Sequence, residues 1–167
     1  MSYMMKYFAY ILACSLLFLL IFRSYSDKPN TQNVASTFEW EKSVDIYVVD
    51  RSIAETSSCE ARATLKRKIL NAETFGPGAL GALIKGLTLE EDKQYYSSID
   101  PQTLIQKFEI IGRVAYVDFS SKLNEGVAGS CMVEAIRSQI ENTLTALPDI
   151  DSVVISINGQ TEGILEP

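Results

Sequence analysis

The stretch from residue 114 to residue 159 constrains the fold more than any other part of the chain, because it joins two strand patterns through one long amphipathic helix. Residues 114–120 predict a strand in which alternate side chains are apolar. Residues 130–147 predict a helix that Pro148 ends, because proline cannot continue it, and Asn142 lies away from its apolar face. That face consists of Val133, Ile136, Ile140, Leu144 and Leu147. Residues 153–157 predict a second, buried strand. Nothing in this stretch is typical of a catalytic site.

Two strands and a short helix are predicted before it. Residues 44–49 indicate the first strand, and residues 59–70 indicate the second, in which apolar and polar side chains alternate. The helix opens at Pro77, because proline is favoured in a first helical turn. Its apolar side chains recur at the spacing of one helical face, which consists of Leu80, Leu83, Ile84 and Leu87.

The remaining elements are a loop and a hairpin. Residues 88–103 are polar and predict a long loop, and residues 104–111 pair with residues 114–120 in a hairpin that turns at Gly112. The predicted order is β-β-α-β-β-α-β, and a short final strand over residues 163–165 is an option. Two helices with single apolar stripes cover one face of a sheet. We therefore expect an α/β (α+β) two-layer sandwich: a mixed sheet with two helices on one face and an exposed outer face.

Composition narrows the classes of function. The chain has 167 residues, a net charge of -6 and no histidine. An acidic protein is a poor ligand for nucleic acid, whose phosphates require a basic face. The absence of histidine removes the most common general base and metal ligand. We therefore expect no nucleic-acid partner, no metal, no cofactor and no catalytic residues.

The N-terminus carries an apolar segment at residues 7–22, flanked by one cation at each end. It is slightly short for a bilayer, although the flanking cations can extend outward. A retained membrane anchor is favoured. A signal peptide cleaved near residues 24–26 and a lipoprotein attached at Cys14 are the alternatives. Residues 24–43 are polar and without period, as in a linker. The predicted organisation is an anchor or signal segment at 1–23, a linker at 24–43 and a folded domain at 44–167.

Cys59 and Cys131 are the two cysteines outside the apolar segment. Strand alternation directs Cys59 toward the core, and Cys131 lies where the long helix begins, so we expect both cysteines at core-facing positions. We expect a disulfide between them, closing a loop of roughly 70 residues and stabilising the fold by ~4 kcal/mol in the chain-entropy model. A disulfide implies a domain outside the cytoplasm. The alternative is two buried free thiols in a domain that faces the cytoplasm.

Four segments in this order resemble the GerMN domain family of bacterial sporulation and spore-germination proteins. The resemblance covers residues 44–167, and its segments are residues 79–88, 96–103, 114–120 and 153–159. Leu87 stands where the family usually has proline. The resemblance implies a membrane-tethered or exported envelope protein whose fold looks like the ring-building modules of secretion and sporulation complexes. No catalytic residues are established for the family, so it implies none here.

Three motifs could indicate chemistry, and each has a simpler interpretation. Residues 76–81 match G-x-G-x-x-G, but a dinucleotide site also requires a parallel βαβ unit, so these glycines are better explained by the loop and by helix packing. Residues 90–92 (Glu, Glu, Asp) could ligate calcium, although a solvated charge run is favoured. Ser120, Ser121 and Lys122 could form a serine-lysine pair, although that lysine lies in polar surroundings.

The outer sheet face is the expected interaction surface. Asp118 lies in an apolar strand and points outward with Tyr116, and we expect Arg62 or Lys66 of another strand to pair with it. The predicted surface consists of Arg62, Lys66, Lys68, Tyr116 and Asp118.

We expect a non-enzymatic envelope domain that binds or assembles with envelope proteins or with itself. It would be a single-pass protein of the bacterial cytoplasmic membrane with its domain outside, or a secreted or periplasmic protein if the signal is cleaved. The alternatives are a glycan-binding module that uses Tyr95 and Tyr96, and a cell-wall hydrolase that uses Glu90 and Asp118. An enzyme would have ionisable groups converging beside an apolar cleft, and we expect no such cleft.

Overall fold

The computed structural model describes residues 42–54, 59–69 and 75–166. The predicted anchor lies outside these residues, as does the predicted linker except for its last two positions. No helix of the described residues has the length and apolar character needed to cross a membrane. The strands are β1 (Lys42–Asp50), β2 (Ala63–Ile69), β3 (Tyr95–Tyr96), β4 (Ile105–Ile111), β5 (Val114–Phe119) and β6 (Ser152–Ile157). The α-helices are α1 (Arg51–Ala54), α2 (Phe75–Ile84) and α3 (Ser130–Thr145), and 3-10 turns occupy Glu91–Lys93 and Ser121–Leu123.

The strands form two three-stranded sheets. In the first sheet β1 lies between β2 and β3 and is antiparallel to both. In the second sheet β5 lies between β4 and β6, antiparallel to β4 and parallel to β6. The predicted α/β class is therefore confirmed, and the strands are divided between two sheets where the sequence predicted one mixed sheet. The division follows from β1, whose second edge pairs with β3 over two residues and then contacts α3 instead of another strand.

Several element boundaries differ from the prediction. Strand β2 is shorter than expected, α2 begins two residues before Pro77, and β3 lies within the segment predicted as a loop. The optional final strand at residues 163–165 does not form; the turn at Asn158-Gly159 is followed instead by a single bridge between Ile157 and Gln160. The hairpin turns at Gly112 as predicted, and both Gly112 and Arg113 have positive φ, as a two-residue turn between twisted strands requires.

The predicted apolar stripes form the core. Helix α3 contributes a row of buried side chains, Val133, Ile136, Ile140 and Leu144, to one cluster. The same cluster receives Leu80 and Leu83 from α2, Ile46 and Val48 from β1, and Ala115, Val117 and Phe119 from β5. Burying each large aliphatic or aromatic side chain contributes about 1.5–3 kcal/mol. The strand side chains that point inward therefore pack both sheets against the helices.

A second, polar face of α3 is also buried, which the apolar stripe did not predict. The Thr143 hydroxyl accepts a 2.9 Å hydrogen bond from the amide of Tyr47 in β1. The Ser138 hydroxyl accepts from the amide of Ala61 at 2.8 Å, and the Asn142 side chain donates to the Ala61 carbonyl at 2.7 Å. These bonds satisfy backbone groups of β1 and of the segment that leads into β2, so α3 is held to the first sheet by polar contacts as well as by its apolar stripe.

Candidate interaction surface

The predicted interaction surface is divided between the two sheets. Arg62 precedes β2 and is exposed, and Lys66 and Lys68 are exposed on the outward face of β2 in the first sheet. Tyr116, 40% exposed, and half-buried Asp118 lie on β5 in the second sheet. The strand alternation therefore placed these side chains on outward faces, and the two-sheet topology assigns them to separate patches.

The cations around β2 pair locally. Arg62 lies against the Glu60 carboxylate, with its Nε at 2.9 Å from Oε2. Lys66 Nζ lies 3.2 Å from Asp45 Oδ1 on the neighbouring strand β1. All four side chains are at least one-third exposed to solvent. Exposed pairs of this kind contribute roughly 0–1 kcal/mol each to folding stability. The face therefore carries both charges, and its ion pairs have little effect on the stability of the fold.

The expected pairing of Asp118 with Arg62 or Lys66 is wrong. Asp118 Oδ1 accepts a hydrogen bond from the Ser156 hydroxyl at 2.7 Å and another from the amide of Gly159 at 2.8 Å. Because β6 runs parallel to β5, it brings Ser156 beside Asp118 and places the following turn at the same end. Asp118 therefore fixes the turn that follows β6.

The acidic residues at 90–92 each form a separate ion pair. Glu90 pairs with Lys93 at 2.6 Å, Asp92 pairs with Arg51 at 2.9 Å, and Glu91 forms a two-pronged pair with Arg67 at 2.7 and 2.9 Å. The described residues contain no cluster of three or more metal-ligating side chains. The interpretation as a charge run was correct for Glu90 and Asp92, which are exposed.

Glu91 is different, because it is largely shielded from solvent. The Arg67 hydrogen bonds hold the pKa of the Glu91 carboxyl below its usual value, against the opposing effect of desolvation. The same carboxylate accepts from the amide of Thr88 at 2.9 Å, and the Thr88 hydroxyl accepts from the amide of Glu91 at 3.3 Å. This reciprocal pattern is a capping box, and its Thr-x-x-Glu signature was visible in the sequence.

Two of the three glycines in residues 76–81 serve packing, as the sequence interpretation favoured. A Cβ atom on Gly76 would overlap the Phe108 ring, and one on Gly78 would lie 3.1 Å from the Ile69 side chain. A Cβ on Gly81 would meet no atom within 4 Å. Gly76 therefore permits the start of α2 to approach β4 closely, and the motif has a structural explanation at its first two glycines.

A groove of about 370 Å³ brings Asp100, Lys122 and Glu125 beside Leu123 and Met132. The expectation that no cleft would combine ionisable groups with apolar side chains is therefore wrong. The Lys122 ammonium lies 2.6 Å from Glu125, and this hydrogen bond raises the pKa of Lys122 and lowers the pKa of Glu125. Both shifts favour the charged forms, which is the opposite of what a general base at Lys122 requires.

Tyr95 and Tyr96 do not form a shared platform. Both are half-buried, and successive strand residues point to opposite faces. Tyr95 packs against the main core, whereas Tyr96 packs against the small cluster of Val49, Ala61 and Ala135, with Arg51 5.4 Å from its ring centre. Two rings on opposite faces cannot stack on the same sugar.

Cys59 and Cys131 are bonded, with their Cα atoms 5.2 Å apart. The bond connects the segment before β2 to the first turn of α3. Cys59 is half-buried, but Cys131 is exposed, so the expectation that both cysteines face the core is wrong for Cys131. The first turn of α3 is solvent-facing, and the helix enters the core two residues later at Val133.

The apolar surface beside β4 was not predicted. Phe108 and Ile110 of β4 line a groove of about 440 Å³ together with Phe75, Pro77, Leu147 and Pro148. Ile110 and Ile111 remain 46% and 61% exposed. The lining residues come from α2, from β4 and from the segment after α3, which are far apart in sequence, so no local pattern in the sequence could have indicated the groove.

Comparisons with known proteins identify the fold. The family model described as Germane, sporulation and spore germination, matches residues 45–163. The solved first GerMN domain of the sporulation protein GerM from Bacillus subtilis is similar, with a TM-score of 0.57, 20% identity, and coverage of 72% of this chain and 85% of that one. The tandem GerMN domains of the same protein are similar with a TM-score of 0.58 and 19% identity, over 80% of this chain and 44% of that one.

A search of curated proteins found no match. At about one-fifth identity the two solved structures show the fold alone, whereas the family model covers most of the chain and nearly all of the described core. This chain belongs to the Germane family of sporulation and spore germination domains, the GerMN domains.

Proposed function

We propose that this chain is a non-enzymatic protein-binding domain of the bacterial cell envelope. It is tethered to the cytoplasmic membrane through residues 1–23, and its GerMN domain faces outward. Its function is to assemble with envelope proteins or with further copies of itself. Membership of a sporulation and spore germination family supports an envelope role of this kind.

The disulfide is the observation that carries the proposed location. Cytosolic reductants keep most thiols reduced, whereas disulfides persist outside the cytoplasm. Cys131 is exposed, so a reducing environment would have direct access to the bond between Cys59 and Cys131. A stable bond at this position therefore favours a domain outside the cytoplasm.

The state of the ionisable groups favours binding over catalysis. In the groove that contains Lys122, the lysine and Glu125 are held in their charged forms by each other. Asp118, one of the two carboxylates considered for a hydrolase, accepts hydrogen bonds from Ser156 and Gly159. Glu90, the other, is an exposed partner of Lys93. Both carboxylates therefore have structural roles that account for them.

The binding surface we propose is the exposed mixed-charge face at β2, which carries Arg62, Lys66 and Lys68, with Tyr116 and Asp118 as a second patch on β5. Envelope proteins whose surfaces carry the complementary arrangement of both charges fit the first patch. Electrostatic complementarity of this kind contributes mainly to specificity and to the rate of association.

The test is capture of partners in intact cells. The full chain is crosslinked and isolated as wild type, as the Arg62→Glu, Lys66→Glu double variant, and as a Lys85→Glu, Lys93→Glu double variant. Both double variants change the net charge equally, and all four substituted side chains are exposed. Because exposed substitutions usually change stability by less than about 0.5 kcal/mol, both variants should fold.

We expect the wild type and the control to capture the same proteins, and the β2 double variant to lose at least one of them. Equal capture by a folded β2 double variant would show that this face is not the binding site. Failure of the wild type to capture any envelope protein, including a second copy, would contradict the proposed function. Enrichment of cell-wall glycan in place of protein would favour the glycan-binding alternative.

A further inference from the structure

Strand β4 is an edge of the second sheet. One side of β4 pairs with β5, and no strand in the described part of the chain pairs with its other side. Alternate residues of an edge strand direct their amide and carbonyl groups away from the sheet, and such a row can pair with another strand. The edge extends over the seven residues of Ile105–Ile111.

The side chains around this edge are unusually apolar for a free edge. Ile110 and Ile111 are 46% and 61% exposed. The inward side chains Phe108 and Ile110 also line the 440 Å³ groove described above, which continues from the strand to Pro77 and Leu147. An added strand would therefore gain backbone hydrogen bonds and cover apolar surface at the same time.

Two copies of β4 that run antiparallel to each other would have complementary charges. If two copies align antiparallel about Phe108, Lys107 of each copy lies opposite Glu109 of the other. The irregularity between Ile105 and Lys107 ends this register, so the match covers residues 107–109 in each copy. Within one chain Lys107 and Glu109 lie 2.7 Å apart on the outward face, and both side chains are more than half exposed, so a second strand that joins here can reach them.

We propose that β4 is a self-association surface at which two copies of this chain pair edge to edge, antiparallel and centred on Phe108. Facing residues of antiparallel strands point to the same side of the sheet, so both Phe108 rings lie on the inner face and the two apolar grooves become adjacent. The inference rests on the proposed function and deepens it, because it names one partner, a second copy, and the surface that the partner occupies.

The test uses sedimentation of the full chain in mild detergent, with four proteins: the wild type, Lys107→Glu, Glu109→Lys and the double charge swap. Each single variant places like charges opposite each other at both facing positions, whereas the double swap restores opposite charges. The apolar N-terminal segment is the same in all four, so differences among them report β4. The matched control is Glu90→Lys, because Glu90 is exposed and forms a similar local pair with Lys93.

We expect weak, concentration-dependent dimers of the wild type, since one paired edge is smaller than a standard stable interface. Each single variant should weaken the dimer about tenfold, because like charges directly opposite each other destabilise strand pairing. The double swap and the Glu90→Lys control should behave as the wild type does.

Mixing the two single variants separates contacts between copies from the pair within one chain. In a mixed dimer Glu at position 107 faces Lys at position 109, and Lys107 faces Glu109, so we expect the mixture to regain the affinity of the wild type. The pair within each chain stays broken in the mixture, so recovery can arise only between copies.

A wild type that remains monomeric up to about 100 μM would overturn self-association while leaving capture of other envelope proteins intact. Dimers that are unaffected by the single variants, or mixtures that fail to recover, would overturn the assignment to β4. If the capture experiment under the proposed function also finds no partner, the function fails as well, so the two failures are distinguishable.

Discussion

At the scale of single residues, alanine substitutions at Gly76 and Gly81 distinguish the effect of packing on stability from the effect of helix propensity. Both lie in α2, but a Cβ on Gly76 would overlap the Phe108 ring and a Cβ on Gly81 would meet open space. We expect Gly76→Ala to lower the free energy of unfolding by about 1–3 kcal/mol through overpacking. Gly81→Ala should raise it by about 0.5–1 kcal/mol, because alanine is the better helix former. Urea unfolding measures both, and equal effects would contradict the packing role.

The lowered pKa of Glu91 predicts that the free energy of unfolding falls as the solution becomes acidic. Its pKa in the folded protein is below the ordinary value of 4.5, because Arg67 hydrogen-bonds the charged form. The stabilisation is therefore complete above the unfolded pKa and is lost as pH falls through the folded pKa. Glu91→Gln should remove this part of the acid dependence and cost about 1–2 kcal/mol at neutral pH.

The matched control for Glu91 is Glu125→Gln. The pKa of Glu125 is also lowered by a hydrogen bond, here from Lys122, but both partners are more exposed than Glu91 and Arg67. Unfolding measured from pH 7 down to about pH 3 should therefore change much less for Glu125→Gln. Identical pH profiles for the two variants would contradict the shielded role of Glu91.

At the scale of elements, helix α3 attaches the first sheet through polar side chains as well as through its apolar stripe. Thr143→Val keeps the shape of the side chain but leaves the amide of Tyr47 without its acceptor. We expect a loss of about 1–3 kcal/mol of unfolding free energy. Thr145→Val is the control, because the exposed Thr145 hydroxyl bonds the carbonyl of Glu141 in its own helix. Similar losses in thermal unfolding would show that the bond to β1 contributes little.

The sequence predicted α3 better than it predicted the sheets. A helical period of apolar residues shows which face is buried, so Val133, Ile136, Ile140 and Leu144 were identified correctly. The same period assigned Asn142 to the other face, because a pattern of hydrophobicity does not indicate which backbone groups a polar side chain will reach. Asn142 bonds the Ala61 carbonyl, 81 residues away in sequence.

The order of the strands in the two sheets could not be predicted from the sequence, for a related reason. Alternation shows which side of a strand is buried, and it placed Lys66 and Tyr116 correctly on outward faces. Alternation does not show which strand lies alongside. The division into two sheets, the replacement of Arg62 by Ser156 as the partner of Asp118, and the free edge of β4 all depend on pairing between distant segments.

At the scale of the whole molecule, the disulfide was predictable and the functional surface was only partly so. Two cysteines outside the apolar segment, one before β2 and one at the start of α3, sufficed to predict the bond. The five residues predicted to form one surface lie in two patches. The groove beside β4 consists of side chains from separate elements and became visible only in the folded chain.

We propose that the domain works outside the cytoplasm with Cys59 and Cys131 bonded. The most direct test uses the full chain with Cys14→Ser, the third cysteine being removed so that only these two thiols can react. Growing cells are quenched in acid, and free thiols are labelled with a large maleimide before and after reduction. We predict no label before reduction and two labels per chain after it. Two labels per chain before reduction would contradict the claim.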